Sequence, residues 1–302
     1  MHRYELPAAN EPISYCHSGG LGVSPLLVPV AALISVGVLS ISYAYLNVYC
    51  PVAGWISIIF AMAYAFGLTW TVAKVGYWSN CRNARFLQLM GLCIGLLGFY
   101  ASWVAFEFVL IGRTDEHFKP TLVELFISPA AVWGIAAAVN ESGWYSIHDF
   151  TPSGNVLWAL WAAEGLLIVG MPTMYATMYI ADQVFCDSCN RWCASHEHPI
   201  RLAVDRCRDF VNAVENKQLE YLERLPPIEQ NQYPHLLLDI KQCDCETTAA
   251  AQLRMVKYRQ DHDGNPAIDT ENLTDYILLS GELRLRLEAL RERVCGISGN
   301  EA

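Results

Sequence analysis

From Pro12 to Ala73 the chain has no Asp, Glu, Lys or Arg, a run of 62 residues. Few soluble folds hide so long a stretch, whereas a bilayer core takes about 20 apolar residues per helix. The run reads as two membrane spans, residues 26–49 and 52–74. The turn "YCPVAG" separates them, where Pro51 lacks a backbone donor and Gly54 bends freely. Residues 86–111 and 156–180 are two further spans of the same kind. Residues 125–140, "LFISPAAVWGIAAAVN", are also charge-free. Those 16 residues make a helix of about 24 Å, short of the roughly 30 Å a crossing needs. An interfacial or re-entrant helix within an outer loop, 112–155, is expected there.

Basic residues set the orientation. Lys74, Arg82 and Arg85 lie between spans two and three without an acid among them. Arg191, Arg201, Arg206 and Arg208 follow span four, while the outer loop has only Arg113 and Lys119 against five acids. Four spans therefore put both termini in the cytoplasm, with the chain in a plasma or inner membrane. Tyr45, Tyr49, Trp55, Trp158 and Trp161 then form an outer aromatic belt, and Tyr77, Trp78, Tyr175 and Tyr179 an inner one. The first 24 residues show no apolar core flanked by basic residues, so no secretory leader is expected. A net charge of −10 argues against a nucleic-acid partner.

Two features stand out within the spans. "GLCIGLLG" lines up Gly91, Gly95 and Gly98 for close helix packing, inside one bundle in preference to a dimer face. Glu107 and Glu164 are carboxylates in apolar helices, a costly placement that makes them a possible intramembrane polar site. The alternative is a purely structural role, each taking a hydrogen bond from a neighbouring Tyr, Trp or Ser.

After residue 180 the chain becomes charged and soluble in character. "CDSCNRWCASHEH", residues 186–198, opens this part. In a reducing compartment such clustered thiols suit a metal better than a disulfide. Cys186 and Cys189 have knuckle spacing for tetrahedral zinc, and Cys243 and Cys245 offer a second pair. Cys193, His196 and His198 are the substitute ligands. Pro199 to Leu225 reads as an amphipathic helix, with Ile200, Ala203, Val204, Cys207, Phe210, Val211, Val214 and Leu222 at helical spacing. "HLLLDIKQCDC" and "QLRMVKYRQ" read as strands, and "DHDGNP" as a hairpin turn in preference to a calcium loop. Two hairpins clamped by four cysteines resemble a zinc ribbon, here split by an insertion and with CxC replacing the second CxxC. A last helix is expected from Gly281 to about Arg293, its arginines solvated.

The expected architecture is a membrane α-helical bundle of four transmembrane helices, 26–180, behind an N-terminal segment, 1–25. A small cytoplasmic α+β domain, 181–302, carries a zinc-ribbon-like four-cysteine knuckle. No nucleotide loop, nucleophile elbow or HExxH stands in the soluble half, which points away from an enzyme. The expected role is a membrane protein whose zinc-stabilised domain docks a protein partner, or scaffolds a membrane assembly or homo-oligomer. One alternative is a small transporter or sensor using Glu107 and Glu164. Another is a membrane enzyme with its site in the outer loop, built from His117, Glu141, His148 and Asp149.

Overall fold

The structure, a computed structural model, describes residues 14–50, 55–114, 120–143, 151–195, 200–203, 234–260, 266–279 and 281–295. They divide into two compact units. Gly19–Asp182 is helical, and residues through Ser18 join Gln183 onward in a unit built on a sheet.

The helical unit contains α1 (Ser24–Tyr49), α2 (Trp55–Trp78), α3 (Ala84–Thr114), α4 (Leu122–Phe126), α5 (Pro129–Ser142) and α6 (Asn155–Tyr175). Four of these, α1, α2, α3 and α6, are long and apolar enough to cross a membrane. Pro172 sits inside α6, which ends at Tyr175, and turns carry the chain to Asp182. The stretch expected as one short helix is split into α4 and α5. Thr121 and Glu124 close a capping box on α4, and Pro129, lacking a donor, begins α5. At 14 residues α5 is about 21 Å long.

Helices α1 and α6 both pack on α3, and α2 packs on both of them. Glycine makes the α3–α6 seam. A Cβ on Gly91 would run into the Pro172 carbonyl, and one on Gly95 would lie 2.8 Å from the Val169 Cα. Gly98 faces α2, where the Tyr64 hydroxyl donates to its carbonyl at 2.9 Å. The glycine stripe is thus used inside the bundle. The interior combines small residues (Ala32, Ala44, Ala61, Ala65 and Ser40) with Leu68, Leu87, Leu157 and Ile168, while Leu26, Ile34, Val38 and Leu166 point outward.

In the sheet unit, β1 (Phe185–Cys186) and β2 (Arg191–Trp192) form a small antiparallel hairpin. The larger sheet centres on β5 (His235–Gln242) and β6 (Ala249–Gln260), paired antiparallel from His235↔Val256 to Gln242↔Ala249. On the far side of β5 lie β3 (Ala194–Ser195) and β4 (Ile200–Ala203). On the far side of β6 lie β7 (Pro266–Asn272) and β8 (Ile277–Leu278). Helix α7 (Gly281–Cys295) closes the unit, with Leu287 buried beneath it.

The helix expected over 199–225 is corrected at its start. Ile200–Ala203 pair with Leu238–His235 as strand β4, and Ile200 is fully buried. Four apolar-rich residues suit either period, and an available edge of β5 decides the matter. Val204 through Leu222 lie outside the described residues. Asp269 and Glu271 lie in strand β7, as a hairpin and not a calcium loop requires.

The core holds Leu236, Leu238, Ile240 and Leu253, each worth about 1.5–3 kcal/mol of apolar burial. A polar network crosses it. Arg254 pairs with Asp239 at 3.3 Å, the Tyr276 hydroxyl donates to Asp239 at 3.0 Å, and Arg254 Nε donates to Gln252 at 2.9 Å. The N-terminal stretch belongs to this unit. The Tyr15 N–H donates to the Tyr276 carbonyl at 2.6 Å, its hydroxyl accepts from the Phe185 N–H at 2.9 Å, and Ser14 bridges Ile277.

Candidate metal centre

Two tight turns of the sheet unit present the cysteines. Cys186 ends β1, and the chain reverses through Asp187 to Asn190, placing Cys189 in the bend. Asn190 has φ +54°, a left-handed conformation that Asn tolerates better than most residues. The second turn joins β5 to β6. The Cys243 N–H donates to the Thr248 carbonyl at 3.0 Å, and the Glu246 N–H to the Cys243 carbonyl at 2.8 Å. Glu246, at φ +59°, is held by Arg284 of α7, through its carboxylate at 2.9 Å and its carbonyl at 2.7 Å. Arg284 is therefore a tie to this turn and not the solvated charge expected.

The four sulfurs of Cys186, Cys189, Cys243 and Cys245 lie within 4.8 Å of one another. Cys189 and Cys243 approach to 2.8 Å, Cys186 and Cys245 to 3.4 Å, Cys243 and Cys245 to 3.3 Å. None of the four is in a disulfide. Val184, Ala250, Tyr276 and Cys193 pack around them, with Tyr15 at the margin.

Charge is divided unevenly over the cluster. Burial opposes ionisation of Cys186, but hydrogen bonds from Thr247, Thr248, the Cys189 main chain and Cys245 outweigh it and bring the thiol to about 5. Hydrogen bonds from Thr247 lower Cys245 as well. Its hydroxyl lies 3.3 Å from the Cys186 sulfur and 3.0 Å from that of Cys245. Hydrogen bonding to Cys243 raises Cys189, and burial raises Cys243. Hydrogen bonding thus eases ionisation of Cys186 and Cys245 and opposes it at Cys189, and a bound cation replaces thiol protons.

Cys193 is buried beside the cluster but outside it. Burial first, then the neighbouring sulfurs of Cys243, Cys186 and Cys245, push its thiol up to about 12. Its N–H donates to the Val184 carbonyl, which fixes it as a core residue of the knuckle. His196, His198 and Cys207 lie outside the described residues. Cys16, Cys50, Cys81 and Cys93 are free and elsewhere. Thr247 and the Arg284–Glu246 tie carry no signal that spacing alone reveals.

The two carboxylates in the apolar helices are not equivalent. Glu164 lines a cavity and accepts from Ser57 at 2.8 Å and from Tyr43 at 3.3 Å. Glu107 is fully buried, and neither carboxylate oxygen has a hydrogen-bond partner among the described residues. Glu141 is exposed near the end of α5, and His117, His148 and Asp149 lie outside the described residues. Comparisons with protein-family models, with curated proteins and with solved structures find no match to this chain.

Proposed function

We propose that the protein is a multi-pass integral membrane protein whose sheet domain is held by a structural zinc ion and docks a protein partner or scaffolds a membrane assembly. The convergence of four free thiols from two turns far apart in sequence carries the reading. Zinc–sulfur bonds of about 2.3 Å in a tetrahedron set sulfurs about 3.8 Å apart. Four of the six sulfur pairs lie 2.8 to 3.6 Å apart and all lie within 4.8 Å, so small shifts reach that spacing. Thiolate ligands select zinc over hard cations. A site with four thiolates leaves no open position for chemistry, so the domain acts through its surface.

The apolar exterior of the helical unit supports membrane placement. Besides its buried core, large apolar side chains cover its outside, among them Leu26, Ile34, Val38 and Leu166, the last 75% exposed. In water so much exposed apolar surface is costly, whereas hydrocarbon solvates it. Basic-residue asymmetry puts both termini in the cytoplasm, where thiols stay reduced. On the sheet, Tyr258 and Ile268 stand opposite one another in register and are 50% and 64% exposed, an apolar spot suited to a partner.

Metal analysis of the protein purified under reducing conditions tests the zinc; one equivalent per chain is expected. A photo-crosslinking residue at position 268 tests docking. A discrete adduct, to a second copy or to another protein, is expected, and its absence in cells would remove the docking role. A second reading, a small transporter or sensor, is favoured by one observation, the cavity at Glu164.

A further inference from the structure

We propose that the cavity at Glu164 is a binding site for a small organic ammonium ion. The cavity lies within the helical unit, among α1, α2, α3 and α6, and has a volume of about 50 Å³. One water needs roughly 10–15 Å³ by this measure, so the space admits a group of a few heavy atoms and nothing of drug size.

Its polar lining calls for a donor. Tyr43 and Ser57 each spend their one hydroxyl proton on the Glu164 carboxylate. Ser102 spends its proton on the Phe99 carbonyl at 2.7 Å, and Asn47 directs an amide N–H to the Tyr43 carbonyl at 2.9 Å. Asn47 keeps a second amide N–H, and the charged group of the lining is the Glu164 carboxylate with its remaining acceptor lone pairs. No Lys, Arg or His pairs with Glu164 among the described residues. An occupant that donates hydrogen bonds and carries positive charge satisfies this lining.

The remaining walls separate an organic cation from a metal ion. Phe99, Trp103, Phe106 and Trp161 supply aromatic surface. Aromatic faces attract ammonium groups. Hard metal cations take about six oxygen ligands arranged on all sides, and the ring side of this cavity offers none. The same chemistry occurs elsewhere in the unit, where the Lys74 ammonium lies 4.6 Å from the Tyr179 ring centroid and 5.5 Å from that of Trp78. Glu107 does not line the cavity and has no part in the site.

The full-length protein in nanodiscs, titrated with ethylammonium chloride, tests the site by calorimetry and tryptophan emission. Sodium chloride at matched ionic strength and ethanol are the comparisons. Saturable binding of ethylammonium is expected, with a change in emission because Trp103 and Trp161 line the cavity. Neither comparison should reproduce it. Glu164→Gln should weaken binding by about tenfold or more, the loss of a hydrogen bond to a charged group. Glu107→Gln should bind as the unsubstituted protein does. No saturable binding, an equal response to sodium or ethanol, or unweakened binding by a folded Glu164→Gln protein would each overturn the proposal. The comparison with ethanol needs no variant, so it stands even where Glu164→Gln fails to fold. The helical unit alone is concerned, and zinc content measured on the same samples reads the metal proposal separately.

Discussion

Thr247 stands within hydrogen-bond reach of two sulfurs at once, and that position makes it informative about the knuckle. Its one hydroxyl proton can be donated to either sulfur, which supports thiolate in the pair without making Thr247 a ligand. Thr247→Val should keep one zinc per chain yet weaken affinity by about 10–100-fold, the usual cost of losing a partner that supports a ligand. Chelator competition measures this, and an unchanged affinity would assign the hydroxyl no part in the site. Cys243→Ser should by contrast lose the metal, while Cys193→Ser, outside the four, should keep it; metal analysis of the two proteins separates them. A second residue carries a stability prediction. Arg254 is the ion-pair partner of Asp239, and their side chains are 24% and 12% exposed. Arg254→Leu leaves a mostly buried carboxylate without its cation and should cost about 3 kcal/mol, read by denaturant unfolding of the sheet unit.

Among the elements, the α3–α6 seam is the most exacting. Gly91 meets backbone of α6, which cannot rotate away as a side chain could. Gly91→Leu should lower stability in detergent by about 3 kcal/mol or prevent folding, while Gly112→Ala, with open space around its Cβ position, should leave the melting temperature nearly unchanged. Equal melting curves for the two variants would contradict the seam. The long apolar helices were legible because length and absence of charge suffice to mark them. Strands β5 and β6 were legible from long apolar-rich runs bounded by the cysteine turn. Ile200–Ala203 was not, because so short a segment has no period of its own and takes its conformation from β5. That the two cysteine pairs come together was legible from spacing, but the hydrogen bonds that ease ionisation of Cys186 come from Thr247 and Thr248, which only the folded turn brings to the sulfur. Glu107 and Glu164 looked alike in sequence. Their difference arises from neighbours on other helices, since Tyr43 and Ser57 reach one carboxylate and no described residue bonds to the other.

Across the whole molecule, the two units should respond differently to metal removal. Structural zinc supplies folding free energy on the order of 10 kcal/mol. A chelator should therefore expose the sheet unit to protease while the helices keep their circular dichroism signal. Simultaneous loss of both would show that the helical unit also depends on the cysteines. Sidedness has its own test. An impermeant thiol reagent applied to intact cells should leave Cys16 and Cys245, both exposed in the sheet unit, unlabelled, and should label both after lysis. Opposite labelling of the two would be incompatible with the fold for a simple reason. Ser14 and Tyr15 precede the helices, Tyr276 and Ile277 follow them, and the two ends are stitched into one sheet. A thread that leaves a room and returns to it passes through the wall an even number of times. If the helical unit crosses a bilayer, ends joined in one sheet call for an even number of crossings, and the four helices long and apolar enough to span meet that parity.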